Sequence, residues 1–255
     1  MLATRVIPCL LLRNQGLIKT VKFKEPKYIG DPINAVRIFN EKEVDELIFL
    51  DITATTERKR PNFKMIAEIA GECFMPLAYG GGISSLDDIK TIFSLGVEKI
   101  VINSYAMEHP EIIRMAAELY GSQSIVISID VKLNVFGRYE VLTHSGTKKT
   151  GQNPVQVALE MTAAGAGEIF LNSIDRDGTL QGFDIKLIQS VTSRVDTPVV
   201  VCGGAWTIDH LKEAVIQGGA SAVAAGSMFV FHGKHRAVLI TYPIYDEIKG
   251  IFERE

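Results

Sequence analysis

Two glycine turns, Gly80-Gly81-Gly82 and Gly203-Gly204, each close a short apolar run and open a helix-like stretch. Without a Cβ, such a backbone lets its N–H groups approach an anion closely, and the helix start behind it adds donors. Gly81-Gly82 with Asn103-Ser104 make one candidate phosphate cradle, and Gly203-Gly204 with Gly226-Ser227 make its mate. A ligand with two phosphates, or one elongated anion, would suit the pair; the plainer reading is that the glycines only turn the chain. Asp130 closes the apolar run Ile125-Val126-Ile127-Ser128-Ile129. Partial desolvation there would raise its pKa and make it a usable acid or base; the alternative is a surface carboxylate held by backbone. In Asp175-Arg176-Asp177-Gly178-Thr179 the carboxylates either meet substrate hydroxyls or cap a turn. Lys19 sits in a long loop, where it either reaches a phosphate or carbonyl or stays solvated. The five histidines form no evident ligand pair, so neither a metal nor a cofactor is expected.

The elements that must place these residues repeat along the chain. Residues 76–103 read as strand, glycine turn, helix capped through Ser84 and Ser85, then strand. Shifted by 122 positions, Pro76 falls on Pro198, Gly81 on Gly203, Asp87 on Asp209 and Gly96 on Gly218. Residues 45–50 fall on 167–172 at the same offset, and residues 6–11 resemble 125–130 at a slightly shorter one. Each half has room for about four βα units, so two halves predict a closed (β/α)₈ barrel, whose usual size is about 250 residues. One domain is expected over residues 1–255, with half-barrels of about 1–122 and 123–255.

Strands are predicted at Arg5–Leu12, Glu46–Asp51, Met75–Gly80, Lys99–Asn103, Ser124–Val131, Glu168–Ser173, Pro198–Cys202 and Ala222–Ala225. Most are nearly continuous apolar runs, as parallel strands covered on both faces should be. Helices are predicted between them, among others at 32–42, 62–70, 110–119, 154–164, 185–191 and 208–217. Extra length falls after the first strand (13–30) and the fifth (132–150), on the side where barrel active sites are built.

With 47% hydrophobic and 22% charged residues, the chain can bury a single large core. A net charge of −3 gives no general attraction to nucleic acid or membrane. No apolar run approaches the ~18 residues of a transmembrane helix, and the run from Val6 to Leu12 is too short for a secretory signal. Cys9, Cys73 and Cys202 are isolated and lack metal-ligand spacing, so a reduced cytoplasm is the expected location. Arg5, Glu46, Lys99 and Glu168 lie at the N-terminal ends of predicted strands one, two, four and six. Such ends form the floor of a barrel, opposite its chemistry, and two charges of each sign there would form either a compensating ring or a solvated rim.

These residues resemble the cyclase subunit of imidazole glycerol phosphate synthase, an enzyme of histidine biosynthesis, over nearly the whole chain. The resemblance is carried by RVIPCL (5–10), DELIFLDITAT (45–55), GGGI (80–83), INS (102–104), GSQSIV (121–126), SIDRDGT (173–179) and CGGA (202–205). It implies a (β/α)₈ barrel with a separate glutaminase docked on its N-terminal face. Ammonia would pass along the barrel axis to the far mouth and meet a bisphosphorylated substrate there. It also implies that Arg5, Glu46, Lys99 and Glu168 form the ammonia gate, which displaces the rim reading. The family uses two symmetry-related aspartates as acid and base. Asp130 fits the second, but the first falls on Leu11, which can neither transfer a proton nor accept a hydrogen bond. Lys19 is retained, with Thr20 where the family has glycine.

This combination resembles a side branch of the family that works with a glutaminase and a separate sugar amidotransferase in making acetamidino-bearing surface-polysaccharide sugars. Segments 10–47, 71–83, 170–178 and 227–240 carry that likeness. The leading expectation is therefore an ammonia-conducting subunit without cyclase chemistry of its own. Two alternatives stand beside it: a true cyclase whose acid has moved to Asp51 or Asp177, and a phosphate-binding barrel with no partner.

Overall fold

A computed structural model describes residues 4–244 and 247–248. Eight parallel strands run in chain order: β1 (Arg5–Arg13), β2 (Leu47–Asp51), β3 (Leu77–Gly80), β4 (Lys99–Ile102), β5 (Ile125–Leu133), β6 (Glu168–Ser173), β7 (Val199–Cys202) and β8 (Ala222–Ala225). Each pairs with the next, and β8 pairs with β1 from Arg5↔Ala222 to Pro8↔Ala225, which closes the ring. The (β/α)₈ barrel expected from the repeat is the observed fold.

Helices cross from each strand to the next, and polar side chains start most of them. Asp31 caps α1 (Pro32–Glu41), Asn62 caps α2 (Phe63–Glu72) and Ser85 caps α3 (Leu86–Ser94), each accepting from a backbone N–H three residues on. α4 (Glu111–Tyr120) starts at Pro110 without a side-chain cap, α5 (Pro154–Ala164) starts at Asn153, α6 (Ile185–Thr192) at Asp184 and α7 (Ile208–Ile216) at Thr207. None of the described helices is long and apolar enough to cross a membrane.

Alternation along the strands divides the apolar residues into two cores. One face packs on the helices through residues such as Val6, Phe49, Ile127 and Leu171. The other fills the barrel axis with Ile7, Cys9, Ile48, Ala78, Val101, Val126, Phe170, Val200, Ala222 and Ala224. Both faces are dry, which is why the strands read as unbroken apolar runs.

Structure and expectation part at the two long loops. β1 continues into a hairpin with Gly16–Val21 and Lys24–Gly30, and β5 continues into another with Tyr139–Thr143 and Lys148–Lys149. Asp130 therefore lies within β5 rather than at its end. The turn that leaves β1 is Asn14-Gln15, with Asn14 at φ 58°; the next is made by Lys22 and Phe23, both with positive φ (52° and 60°), in place of the glycine or asparagine that signals a hairpin. No sequence cue announced this second turn.

Phe170 is fully buried and is the largest side chain in the axial core. Phe170→Ala should cost about 3–5 kcal/mol in urea denaturation; a loss below about 1 kcal/mol would mean that the axis is not packed as described.

Candidate functional site at the barrel mouth

A cleft opens at the C-terminal ends of the strands, about 1020 Å³ with its open space included. Asp130 lies in its wall and is 8% exposed. Asn103 Nδ2 donates to its Oδ2 at 3.0 Å and Asn172 Nδ2 to its Oδ1 at 3.3 Å. Burial pushes the Asp130 carboxyl up to about 7; the Asn172 bond offsets part of this, nearby Asp177 adds to it, and the Asn103 bond offsets a little more. Leu11 lines the same cleft, paired across strands with Leu50 and Ile18, and brings no polar atom. Of the two symmetry-related positions, Leu11 and Asp130, one carries a carboxyl; Asp51 and Asp177 also line the cleft.

Lys19 is not in a solvated loop. It lies on the first hairpin, 6% exposed, with Nζ 2.6 Å from Asp177 Oδ1 and 3.0 Å from the Thr20 carbonyl oxygen. Thr20 Oγ1 donates to the other Asp177 oxygen at 2.9 Å, and Lys22 N donates to the Asp177 carbonyl at 2.9 Å. Asp177 therefore holds the hairpin across the mouth rather than capping its own turn. Gly178 permits this close approach, because its φ is +68° and an added Cβ would strike the Thr20 carbonyl.

Both glycine turns face the mouth. Gly81 and Gly82 (φ 121° and 72°) line the cleft together with Asn103 and Ser104. Ser104 Oγ accepts from His144 N at 2.9 Å, and the Asn103 side chain is committed to Asp130, so the approach open to an anion here is the backbone. Gly203, Gly204, Gly226 and Ser227 line a second, smaller cavity of about 220 Å³, with Gly178, Asp177 and Lys19. A Cβ on Gly226 would meet Lys19 Cε at 3.0 Å, so this glycine makes room for the lysine that borders both cavities.

The floor carries a closed ring of charge. Arg5 bridges Glu46 and Glu168. Lys99 Nζ lies 2.9 Å from Glu46 Oε2 and 3.2 Å from Glu168 Oε2, completing the circle on the other side. Glu46 and Glu168 are buried while Arg5 and Lys99 are half-buried, so the four charges form a closed, largely desolvated ring rather than a solvated rim. Between ring and mouth stands the apolar axial core.

Two features of the axis were missed in the sequence. Cys9 and Cys202, far apart in the chain, come together there; hydrogen bonding to Cys202, and then burial, hold the Cys9 thiol well above its ordinary pKa. Asn172 Oδ1 is buried with no hydrogen-bond partner among the described residues. The available cue was parity: 168, 170 and 172 share the inward face of β6.

A family model described as "Histidine biosynthesis protein" matches residues 5–236. A protein of Pseudomonas aeruginosa provisionally named imidazole glycerol phosphate synthase subunit hisF2 is 57% identical over 243 residues, covering 95% of this chain and 97% of that one. One from Leptospira borgpetersenii, provisionally named subunit HisF of the same synthase, is 51% identical over 253 residues, 99% of this chain and 100% of its own. One from Vibrio vulnificus, provisionally named subunit hisF3, is 47% identical over 254 residues, covering 99% and 98%.

Because the folded-state pKa of Asp130 is raised to about 7 from 3.8, the folded state holds its proton more tightly than the unfolded chain. That contribution to stability is fully present below about pH 4 and is lost as pH rises through 7. Carboxyl ¹³C NMR should show Asp130 titrating near neutrality, and Asp130→Asn should remove a pH-dependent loss of up to about 4 kcal/mol between these limits. Titration at an ordinary aspartate pKa would contradict the burial described.

Proposed function

The chain belongs to the histidine biosynthesis protein family, and on that premise we propose that it is the ammonia-conducting barrel of a glutamine-dependent amidotransferase. A glutaminase would dock on the N-terminal face, over the ring of Arg5, Glu46, Lys99 and Glu168. The observation that carries this reading is the ring itself, closed around the floor of a barrel whose axis above it is mainly apolar, with Ser128 between Val126 and Asp130. A scaffold without a partner gains little from such a ring, because apolar residues in its place would stabilise the floor as well or better.

Paired charges exclude free ions, while a swing of Lys99 admits a small neutral molecule. The axial core then disfavours ammonium, since an unpaired charge is costly in apolar surroundings. Ammonia emerging at the mouth meets Asn172 Oδ1, which is free to accept an N–H bond, and Asp130, which takes up or returns a proton near neutral pH. Phosphate groups of an anionic ligand would rest on Gly81-Gly82 with Asn103-Ser104 and on Gly203-Gly204 with Gly226-Ser227, beside Lys19 and Gly178.

The final acceptor is proposed to be held by a separate sugar amidotransferase that forms acetamidino groups of surface-polysaccharide precursors in the cytoplasm. Leu11 supports this over ring closure in histidine biosynthesis, which would need a second proton-transfer group at the mouth. Of the candidate substitutes, Asp177 is held through both oxygens, whereas Asp51 is held through Oδ1 alone and is the acid that the ring-closing alternative would use. Asp51 Oδ1 accepts from Thr53 N and Thr53 Oγ1 at 2.9 Å and from Ala54 N at 3.1 Å, and both Asp177 oxygens are bound to the first hairpin.

With added ammonium salts, turnover of the histidine-pathway substrate is expected to be absent or at trace level, and Leu11→Asp should raise it, within the ~10²–10⁴-fold range of a general acid or base. Wild-type turnover equal to that of a histidine-pathway cyclase would exclude the sugar reading.

A further inference from the structure

Charge is segregated on this molecule. The segments that follow the eight strands (13–31, 52–62, 81–85, 103–110, 132–153, 174–184, 203–207 and 226–240) hold 15 of the 27 Lys and Arg but 8 of the 30 Asp and Glu. The mouth side is therefore basic on a chain whose net charge is −3. Bound phosphates would account for cations inside the cleft, as with Lys19. They do not account for those on the outside of the two hairpins. Lys22, Lys24, Lys27, Lys132, Arg138 and Lys149 are all exposed, and none has a carboxylate within salt-bridge distance among the described residues.

The same hairpins expose large apolar side chains. Val135 is 90% and Phe136 82% exposed at the tip of the second hairpin, flanked by Leu133, and Tyr28 is 66% exposed on the first. The second tip is a formed structure. Asn134 Oδ1 accepts from Phe136 N at 2.9 Å and Arg138 N at 3.1 Å, and Leu133 N donates to Asp175 Oδ2 at 2.8 Å. A fixed turn that holds valine and phenylalanine in water is the geometry of an anchor that a partner's pocket buries.

We propose that the two hairpins form a docking surface for the enzyme that takes the ammonia, a protein presenting an apolar pocket rimmed by carboxylates. The proposal rests on the reading that ammonia leaves by this mouth. Opposite charge steers the encounter and sets orientation, and the apolar tip provides the buried centre. A bilayer of anionic lipid would also suit basic, apolar tips, but it holds no group that consumes ammonia. Docking here would seat the acceptor's active site over the cleft, on the face opposite the glutaminase, so the nitrogen would not cross open water.

The test uses the full chain in complex with its glutaminase, titrated with the sugar amidotransferase at low and high salt. Two variants carry it: Val135→Ser with Phe136→Ser, and Lys132→Glu with Arg138→Glu and Lys149→Glu. All five positions are exposed, so folding is spared, and unchanged glutaminase affinity verifies this. Each variant should weaken amidotransferase binding at least about tenfold, and salt should weaken the wild type, as expected of anchor residues and a charged rim. Variants that bind the amidotransferase like the wild type, while glutamine-dependent transfer proceeds, would overturn the docking surface and leave the conduit standing. Wild-type binding to phosphatidylserine vesicles that both variants lose would overturn it in favour of a membrane. A wild-type complex that delivers no glutamine nitrogen at all would instead remove the conduit, and the docking surface with it.

Discussion

Closing eight strands into a barrel forces inward-facing side chains of similar height to meet on one axis. At the floor, four of these are charged: Arg5, Glu46, Lys99 and Glu168. They cannot be solvated separately, so they must neutralise one another, and the two glutamates are buried with each bonded to both cations. Such a ring is a poor stabiliser compared with apolar packing, since desolvation offsets much of the attraction. Its presence beneath an apolar core therefore points to a use other than stability. The use proposed is selective entry for a neutral molecule.

The remainder of the axis follows from that constraint. Apolar residues between floor and mouth keep any charged species from resting midway. At the mouth the environment becomes polar, with Asp130 bonded by Asn103 and Asn172. Half-barrel symmetry would place a second carboxylate opposite, and the chain has Leu11 there instead. Symmetry is retained in the two glycine turns, where phosphate binding is proposed, and lost at the position of Leu11. The first hairpin, fixed by Lys19 and Thr20 to Asp177, covers what is left.

The barrel was legible in the sequence because a repeat of 122 residues and alternating strand and helix signals agreed with each other. The floor ring was legible in part: the strand starts at Arg5, Glu46, Lys99 and Glu168 left a ring or a solvated rim open, and the family resemblance favoured the ring. What was not legible depended on contacts between distant segments. The hairpin at Lys22-Phe23 uses positive φ without glycine, so the loop read as irregular. The ion pair of Lys19 was not legible because its partner, Asp177, lies 158 residues away. Cys9 and Cys202 read as isolated because only barrel closure brings their strands onto one axis.

The conduit itself is tested most directly by the source of nitrogen. In the complex with glutaminase and acceptor enzyme, Lys99→Ala would remove one cation from the floor ring while leaving the mouth, its glycine turns and Asp130 untouched. Acceptor amidation should be compared with glutamine and with ammonium salts as donors. Glutamine-dependent product is expected to fall while ammonium-dependent product is largely retained, with glutamine hydrolysis continuing. Equal loss from both donors, or no loss from either, would contradict a gate at the barrel floor.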